Sequence, residues 1–387
     1  MTPVFHKTRL IFWSVVAIFF VMLPFGFSGG FALSMLSQMG IAIIFALSYN
    51  MLLGQTGLLS FGHAVYFGLG AFMTAHVINW VGEDRIWWPI TFMPLVGGLT
   101  GMLFGLVLGF VTTRRAGTPF AMISLGIAEM VAASALMFTT FFGGEGGIAT
   151  DRTAGGTMFG ISYGPQIQVF YLIAGWCLVG MIGMFAVTQT PLGRMANAVR
   201  DNPERAKFVG YNPTRVRWLM MTLAGFFAGM AGALATINYE IVTAETLGLV
   251  ASGNVVLMAF IGGIGHFWGP IVGAVFVTWL QSALSTYTQA WHARLMKRLL
   301  PSYALAAATG ALMLTGFVAV IELLYSHGGS GDMVSLFGLR VDAGSAVTWV
   351  AAVGLFVVGI VLFRWALKYV RRAWEEITPQ LQSSGVV

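Results

Sequence analysis

The sequence is poor in the residues that disulfides, metal sites and water-facing surfaces require. Cys177 is the only cysteine, which excludes an internal disulfide and a cysteine-rich metal site. The six histidines are scattered without the spacing of zinc ligands. Charged residues make up only 9% of the 387 residues, too few for the surface of a soluble domain of this size. We therefore predict a chain without a metal or other cofactor, whose surface lies largely in an apolar medium.

The sequence also lacks the motifs of an ATPase or of another enzyme. The phosphate-binding pattern Gly-x-x-x-x-Gly-Lys-Ser/Thr does not occur, and the only lysines are Lys7, Lys207, Lys297 and Lys368. No nucleophile and base stand at a workable spacing. The chain is therefore not predicted to be an enzyme, and any ATP hydrolysis that drives it is expected in separate subunits.

Long apolar runs dominate what is present. Hydrophobic residues make up 57% of the chain, and the mean hydropathy is +0.82. Several runs exceed the roughly 20 residues that a helix needs to cross a bilayer, and they do not alternate as barrel strands do. The sequence thus predicts an all-α polytopic membrane protein with about ten transmembrane helices. The predicted spans lie near residues 10–28, 31–53, 61–81, 87–111, 119–142, 166–188, 217–237, 266–288, 303–325 and 347–370.

A further apolar segment, at residues 251–262, is too short to cross the bilayer. It ends at Gly262-Gly263 and is predicted to be a re-entrant half-helix that lines a cavity. When this segment is not counted as a span and the N-terminus lies inside, 17 of the 20 lysines and arginines fall on the inner side. This pattern predicts a membrane protein with both termini in the cytoplasm.

Glycines in the fourth predicted span favour close helix packing. Gly97, Gly101, Gly105 and Gly109 recur every four residues and so form one stripe on the helix. Small residues in such a stripe let the backbone of another helix approach closely. We predict a packing face here rather than a chemical site.

The longest predicted cytoplasmic loop, residues 190–217, contains the signals of a short helix. Asn202 is a good N-cap, Pro203 suits the first helical position, and Gly210 suits the position just past the end. Glu204 favours the helix dipole. These signals predict a helix of about seven residues, and the alternative is a solvated loop that contains a capped turn.

Three apolar side chains of this short helix suggest a partner. They are Ala206, Phe208 and Val209, and they stand among charged residues. Such a helix is suited to a groove on a soluble protein rather than to the bilayer.

Four segments carry a resemblance to a known family. The segment PLGRMANAVRDNPERAKFVG at residues 191–210 resembles the coupling loop of permeases of the branched-chain amino acid (leucine/isoleucine/valine-type) ABC importer family. Three others agree with that family: NMLLGQTGLLSFGHA at 50–64, FGGEGGI at 142–148 and GGIGHFWGPIVGA at 262–274. The resemblance covers about residues 30–288 in matching order.

The resemblance implies an ABC importer permease fold, a location in a bacterial inner membrane and a set of partners. These are a second, homologous permease subunit in a heterodimer, two cytoplasmic ATPase subunits and a periplasmic solute-binding protein. It also implies that residues 203–209 dock on the ATPase. The residues implied in this coupling are Asn202, Pro203, Glu204, Arg205, Ala206, Lys207, Phe208, Val209 and Gly210.

The resemblance also suggests a division of the chain. Residues 1–290 are predicted to form the permease core, with the coupling loop at 190–217. Residues 291–372 are predicted to add a helix pair that a typical family member lacks. Residues 373–387 are predicted to be a cytoplasmic tail.

Polar residues inside the apolar segments are candidates for the solute path. Asn50, Gln55, Ser60 and His63 surround a predicted helix break, where freed backbone groups need partners or a water-filled cavity. The alternative is that they only stabilise the break by hydrogen bonds between helices. Two further candidates are Glu129, a carboxylate placed inside a span, and Asn254, in the half-helix.

The sequence thus predicts the membrane-spanning permease subunit of an ATP-driven importer. Branched-chain amino acids or related small solutes, delivered by a periplasmic binding protein, are the expected cargo. Urea, short amides and aromatic or other carboxylates stay open as alternatives. A stand-alone channel or ion-coupled secondary carrier is the alternative function, but it leaves the capped cytoplasmic loop without a purpose.

Overall fold

The computed structural model describes residues 7–27, 29–154, 162–289, 293–326, 333–336, 339–342 and 346–383. The described chain is almost entirely helical. The helices are α1 (Lys7–Gly26), α2 (Gly30–Thr56), α3 (Ala64–Gly82), α4 (Met93–Thr112), α5 (Thr118–Met137), α6 (Thr139–Phe142), α7 (Gln166–Gln189), α8 (Pro191–Asp201), α9 (Pro203–Phe208), α10 (Pro213–Tyr239), α11 (Leu249–Gly262), α12 (Gly269–Gln289), α13 (Ala293–Ser326) and α14 (Ala346–Ser383). Strand β1 (Ile148–Ala149) pairs antiparallel with β2 (Ile241–Val242), and β3 (Met333–Leu336) pairs antiparallel with β4 (Leu339–Asp342).

The all-α polytopic fold is confirmed, and each of the ten predicted spans coincides with a helix. Within the described residues, seven segments are long and apolar enough to cross a membrane. They are Gly30–Thr56, Ala64–Gly82, Ile90–Thr112, Thr118–Met137, Gln166–Gln189, Pro213–Tyr239 and Val353–Arg371. Shorter apolar helices account for the other predicted spans. The number of crossings stays a prediction.

The chain divides into two compact units. One is Val16–Trp279, and the other combines Met1–Val15 with Leu280–Val387. In the second unit α13 packs on α14 through glycines, since Gly316 faces the backbone of Phe356 and Gly359 faces the backbone of Met313. The division of the chain drawn from the sequence at residue 290 stays a prediction.

The glycine stripe on α4 packs against glycines on α10, as predicted. A side chain at Gly101 would collide with the carbonyl of Gly225, and one at Gly229 would collide with the carbonyl of Gly97. The two backbones therefore lie in direct contact, as small residues allow between membrane helices. This contact helps to place α10 at the centre of the first unit, where most of the helix is buried.

The first unit has two distinct ends. One end, here called the β1 end, holds β1, β2 and the C-termini of α3 and α10. The side-chain amide of Asn79 on α3 donates to the Ala149 carbonyl of β1 at 3.1 Å. At this end Arg152 approaches Glu240 at 3.6 Å and also donates to the Gly164 carbonyl at 3.0 Å. The opposite end, here called the α8 end, holds α8, α9 and the C-terminus of α2.

The path after β2 differs from the one expected from the sequence. The predicted half-helix is present as α11, a helix of 14 residues, but it does not return to the β1 end. Its far end reaches the α8 end, where Asn50 near the C-terminus of α2 donates to the His266 carbonyl at 3.2 Å. A short 3-10 helix at Ala244–Leu247 precedes α11 and covers part of the remaining distance, so residues 241–262 join the two ends. From there α12 runs back along α11, with Gly273 against the Met258 carbonyl.

Candidate functional site: a helix break beside a basic helix pair

The chain between α2 and α3 is a broken helix, as predicted. Helix α2 ends at Gly57, whose φ of 70° is left-handed and whose amide donates to the Leu53 carbonyl at 3.1 Å. This bond is that of an αL cap, and the Leu58 amide also donates back to the helix, to the Leu52 carbonyl at 3.1 Å. The chain then folds back along α2, because His63 at the start of α3 lies beside Ser48, two turns before the end of α2.

Serine hydroxyls satisfy the backbone amides that the break exposes. The Phe61 amide donates to Oγ of Ser124 on α5 at 3.1 Å, and the Ala64 amide donates to Oγ of Ser252 on α11 at 3.1 Å. The Gly62 amide donates to Oγ of Ser60 at 3.3 Å. Unpaired amides are costly in an apolar medium, so these serines stabilise the break. Helices α2, α3, α5 and α11 therefore meet at this point.

His63 lies fully inside the protein. Its Nε2 is 2.9 Å from Oγ of Ser48, and its ring stacks on Phe45 with 5.6 Å between centroids. The rings of Tyr49 and Tyr66 approach its edges at 5.5 and 5.9 Å. With no exposed surface, His63 fits the stabilising role better than direct contact with a solute.

The other candidates from the first Gly-rich segment lie near the same point. Ser60 is buried, and its Oγ accepts a hydrogen bond from the Gly62 amide. Asn50 joins the break to the turn at 263–268 through the His266 carbonyl. Gln55 is half-buried in the last turn of α2.

Glu129 and Asn254 flank the break on the two helices that support it. Ala128 packs against Gly62, and the next residue, Glu129, is exposed on α5. Asn254 follows Ser252 by two residues on α11 and is half-buried. The six path candidates are thus brought to one region, and their role in transport stays a prediction.

At the α8 end, the predicted loop consists of two helices. Helix α9 runs from Pro203 to Phe208, and Oδ1 of Asn202 accepts from the Arg205 amide at 2.9 Å, so the predicted cap and helix are confirmed. Helix α8 was not predicted, although it begins in the same way. Thr190 caps it by accepting from the Gly193 amide at 3.4 Å, and Pro191 takes its first position.

The apolar side chains of α9 do not all face outward. Ala206 is buried within the chain at 6% exposure, which differs from the expected role as a contact for a partner. Phe208 and Val209 are 91% and 70% exposed. These two side chains, here called the α9 tip, form a small exposed apolar surface among charged residues.

Sequence reasoning missed the serines and one arginine that organise this region. Ser48, Ser124 and Ser252 could have been found as polar residues within apolar helical segments. Arg200 stood among many charged loop residues, and only the structure places it against α2.

Broken apolar helices that meet beside a pair of capped, charged helices are the architecture of a polytopic membrane protein. The chain belongs to the family described as branched-chain amino acid transport system / permease component, which matches residues 31–314. The match extends into α13, beyond the point near 290 where the resemblance was expected to end.

Several relatives support the assignment. The high-affinity branched-chain amino acid transport system permease protein LivM of Salmonella typhimurium is 28% identical over 69% of this chain and 66% of its own length. LivM of Escherichia coli is 29% identical over 61% and 60%. The fructose import permease protein FrcC of Rhizobium meliloti is 29% identical over 50% and 54%. The chain thus spans less than two thirds of the length of these relatives, and no solved structure matches it.

Proposed function

We propose that this chain is a membrane-spanning permease subunit of a bacterial ATP-driven importer. It works with a second, homologous permease subunit, two cytoplasmic ATPase subunits and a periplasmic solute-binding protein. The cargo is a branched-chain amino acid or a related small solute. Family membership and the names of the LivM relatives support this assignment.

The charges of the first unit support an orientation with the α8 end in the cytoplasm. Eight basic residues belong to this end, and cytoplasmic loops of membrane proteins carry such an excess. They are Arg114, Arg115, Arg194, Arg200, Arg205, Lys207, Arg215 and Arg217. At the β1 end Arg85 and Arg152 are accompanied by acidic residues, including Glu83 and Glu240. The prediction that both chain termini lie in the cytoplasm counted residues 251–262 as a half-helix. Since residues 241–262 join the two ends of the unit, the charge count no longer supports the predicted side of the C-terminus.

The observation that carries the proposal is the exposed α9 tip. Phe208 is almost fully exposed, although burial of a phenylalanine side chain is favourable by roughly 1.5–3 kcal/mol. A partner with an apolar groove would recover this energy, and the surrounding Arg205 and Lys207 favour an acidic rim on that partner.

An ATPase subunit docked here would move α8 and α9 when it closes on ATP. Because α8 packs on α2, the movement would reach the helix break and switch the solute path between two states.

The test compares Phe208→Asp with Trp87→Asp in the co-expressed complex. Trp87 is 83% exposed in the connection between α3 and α4 at the opposite end, so it controls for the chemistry of the substitution. We expect Phe208→Asp to insert normally but to lose co-purified ATPase and solute-stimulated hydrolysis, and Trp87→Asp to keep both. Native ATPase binding by the Phe208→Asp complex would contradict the proposal.

The solute class is tested by uptake into proteoliposomes with the cognate binding protein. The panel is leucine, isoleucine, valine, urea, a short amide, an aromatic carboxylate and fructose, the last because a fructose permease is among the relatives. Uptake that depends on ATP and favours the branched-chain amino acids is expected. Uptake driven by an ion gradient without ATP would favour the alternative of a secondary carrier.

A further inference from the structure

We propose that Arg200 is the positioning residue that couples movement of α8 to the helix break, and this inference rests on the proposed importer function. Its guanidinium donates from one terminal nitrogen to the Gly54 carbonyl in the last turn of α2. Its Nε donates to Oδ1 of Asp201 at 2.9 Å. Arg200 thus forms a direct polar connection between the cytoplasmic helix pair and the start of the break.

The end of α2 has a vacant acceptor for this guanidinium. The amides of Gly57 and Leu58 use the carbonyls of Leu53 and Leu52, and the Gly54 carbonyl is the next one along the helix. Carbonyls at a helix C-terminus carry partial negative charge, so a cation is favoured there. A hydrogen bond with one charged partner is also stronger than one between neutral groups.

The side chain of Arg200 also contacts the break through its carbons. A Cβ added at Gly57 would lie 3.1 Å from Cγ of Arg200, so the arginine stem lies against the left-handed turn. A Cβ added at Gly265 would lie 3.9 Å from a terminal nitrogen of Arg200. The arginine therefore touches the end of α2, the first residue of the break and the turn that joins α11 to α12.

The backbone of Arg200 is held firmly in α8. Val199 is buried beside it, and Ala196 is buried one turn earlier. Helix α8 packs against α2, α7, α9 and α10, so it moves as a unit with α9 when α9 is displaced. Asp201, the last residue of α8, holds the Arg200 guanidinium within the same helix, and the bond from Arg200 to the Gly54 carbonyl transmits that displacement to α2.

The break passes the displacement to the helices of the solute path. Asn50, in the turn of α2 that precedes Gly54, holds the His266 carbonyl, so both Gly-rich breaks follow the end of α2. A residue that merely caps α2 would affect stability alone. A residue that couples the movement of α8 to the solute path would change how many solute molecules are transported for each ATP hydrolysed.

The test uses Arg200→Gln, Arg200→Lys and the control Arg115→Gln in the complete reconstituted complex. Arg115 is an exposed arginine in the connection between α4 and α5, at the same end of the unit. Three quantities are measured: the amount of ATPase that co-purifies, the ATP hydrolysis rate with loaded binding protein, and the solute transported per ATP.

We expect Arg200→Gln to assemble and hydrolyse ATP while the solute transported per ATP falls by about tenfold, as for loss of one hydrogen bond to a charged group. Arg200→Lys should give an intermediate ratio, because an ammonium keeps the charge but not the planar fork. Arg115→Gln should match the native complex.

Two results would overturn the inference. One is a native solute-to-ATP ratio in Arg200→Gln, and the other is a parallel loss of assembly in both Arg200 variants, which would make Arg200 a structural cap. Uptake by the unmodified complex is measured first. If the unmodified complex takes up no solute, the proposed function is overturned and this inference with it. If the unmodified complex takes up solute and Arg200→Gln keeps the same solute-to-ATP ratio, only the inference is overturned.

Discussion

Ser48 and His63 form a buried hydrogen bond, with 2.9 Å between Oγ and Nε2, that ties the start of α3 to the middle of α2. Both residues are fully buried, so neither group can exchange its partner for bulk water. The bond fixes how far the chain folds back after Gly57. The helix break is therefore held from within the core as well as by the serines of α5 and α11.

Replacing Ser48 by alanine is expected to lower the free energy of unfolding by about 1 kcal/mol, because a buried ring nitrogen loses its partner. Thermal unfolding of the detergent-solubilised protein measures the change. Ser134→Ala is the control, since its Oγ bonds only to the Val131 carbonyl of its own helix at 2.7 Å. Equal effects of the two substitutions would argue against a special role for the Ser48 bond.

Gly101→Ala is expected to destabilise the protein by about 1–3 kcal/mol, because the new methyl group meets backbone atoms of α10 that cannot rotate away. Gly175→Ala is the matched control. Gly175 lies within α7, and a Cβ there meets no atom of the described chain within 4 Å. The yield and the unfolding temperature of the two variants are compared in the same detergent. A Gly101→Ala protein as stable as Gly175→Ala would show that α4 and α10 tolerate a wider separation.

The ion pair of Arg152 and Glu240 is expected to be worth more than that of Arg85 and Glu83. The first is longer, at 3.6 Å against 2.7 Å, but the Arg152 side chain is only 12% exposed whereas both partners of the second are mostly exposed. Solvent screens exposed charges strongly. Double-mutant cycles with Arg→Gln and Glu→Gln should give a coupling of about 0.5–1 kcal/mol for the partly buried pair of Arg152 and Glu240 and near zero for the exposed pair. The reverse order would mean that distance outweighs burial at the β1 end.

Glu129→Leu is expected to reduce solute uptake strongly while insertion and subunit assembly stay normal. A carboxylate in the middle of a membrane helix is costly in lipid, so the exposed face of α5 should border water or a partner rather than lipid. Met130→Leu, at the next exposed position, should have little effect. Uptake is measured in proteoliposomes, with assembly checked by co-purification. If Glu129→Leu lost the second permease subunit instead, the residue would belong to the subunit interface and not to the path.

The sequence predicted those features that depend on local pattern. Apolar runs predicted the helices, because a membrane helix needs only length and apolar composition. Asn202 and Pro203 predicted the start of α9 correctly, because a cap is satisfied within a few residues. Glycine spacing predicted a packing face on α4. Helix α8, with the same signals at Thr190 and Pro191, could have been predicted in the same way.

The path of the chain after β2 could not be predicted in this way. A helix of 14 residues is too short to cross by itself, and the sequence pattern gave no measure of the distance covered by the short 3-10 helix and the turns before it. The hydrogen bond from Asn50 to the His266 carbonyl places the end of α11, and it joins residues 216 positions apart. Contacts of this kind have no local signal.

The sequence by itself determined the class of the protein, since composition, apolar run length and the order of four motifs are properties of the chain before it folds. It also determined the helices and the capped start of α9. Only the tertiary structure decided which polar residues meet at the break, that Ala206 is buried while Phe208 is exposed, and that Arg200 reaches the end of α2. The physical reason is that burial and hydrogen bonding depend on neighbours from distant helices, and those neighbours are fixed only when the helices pack.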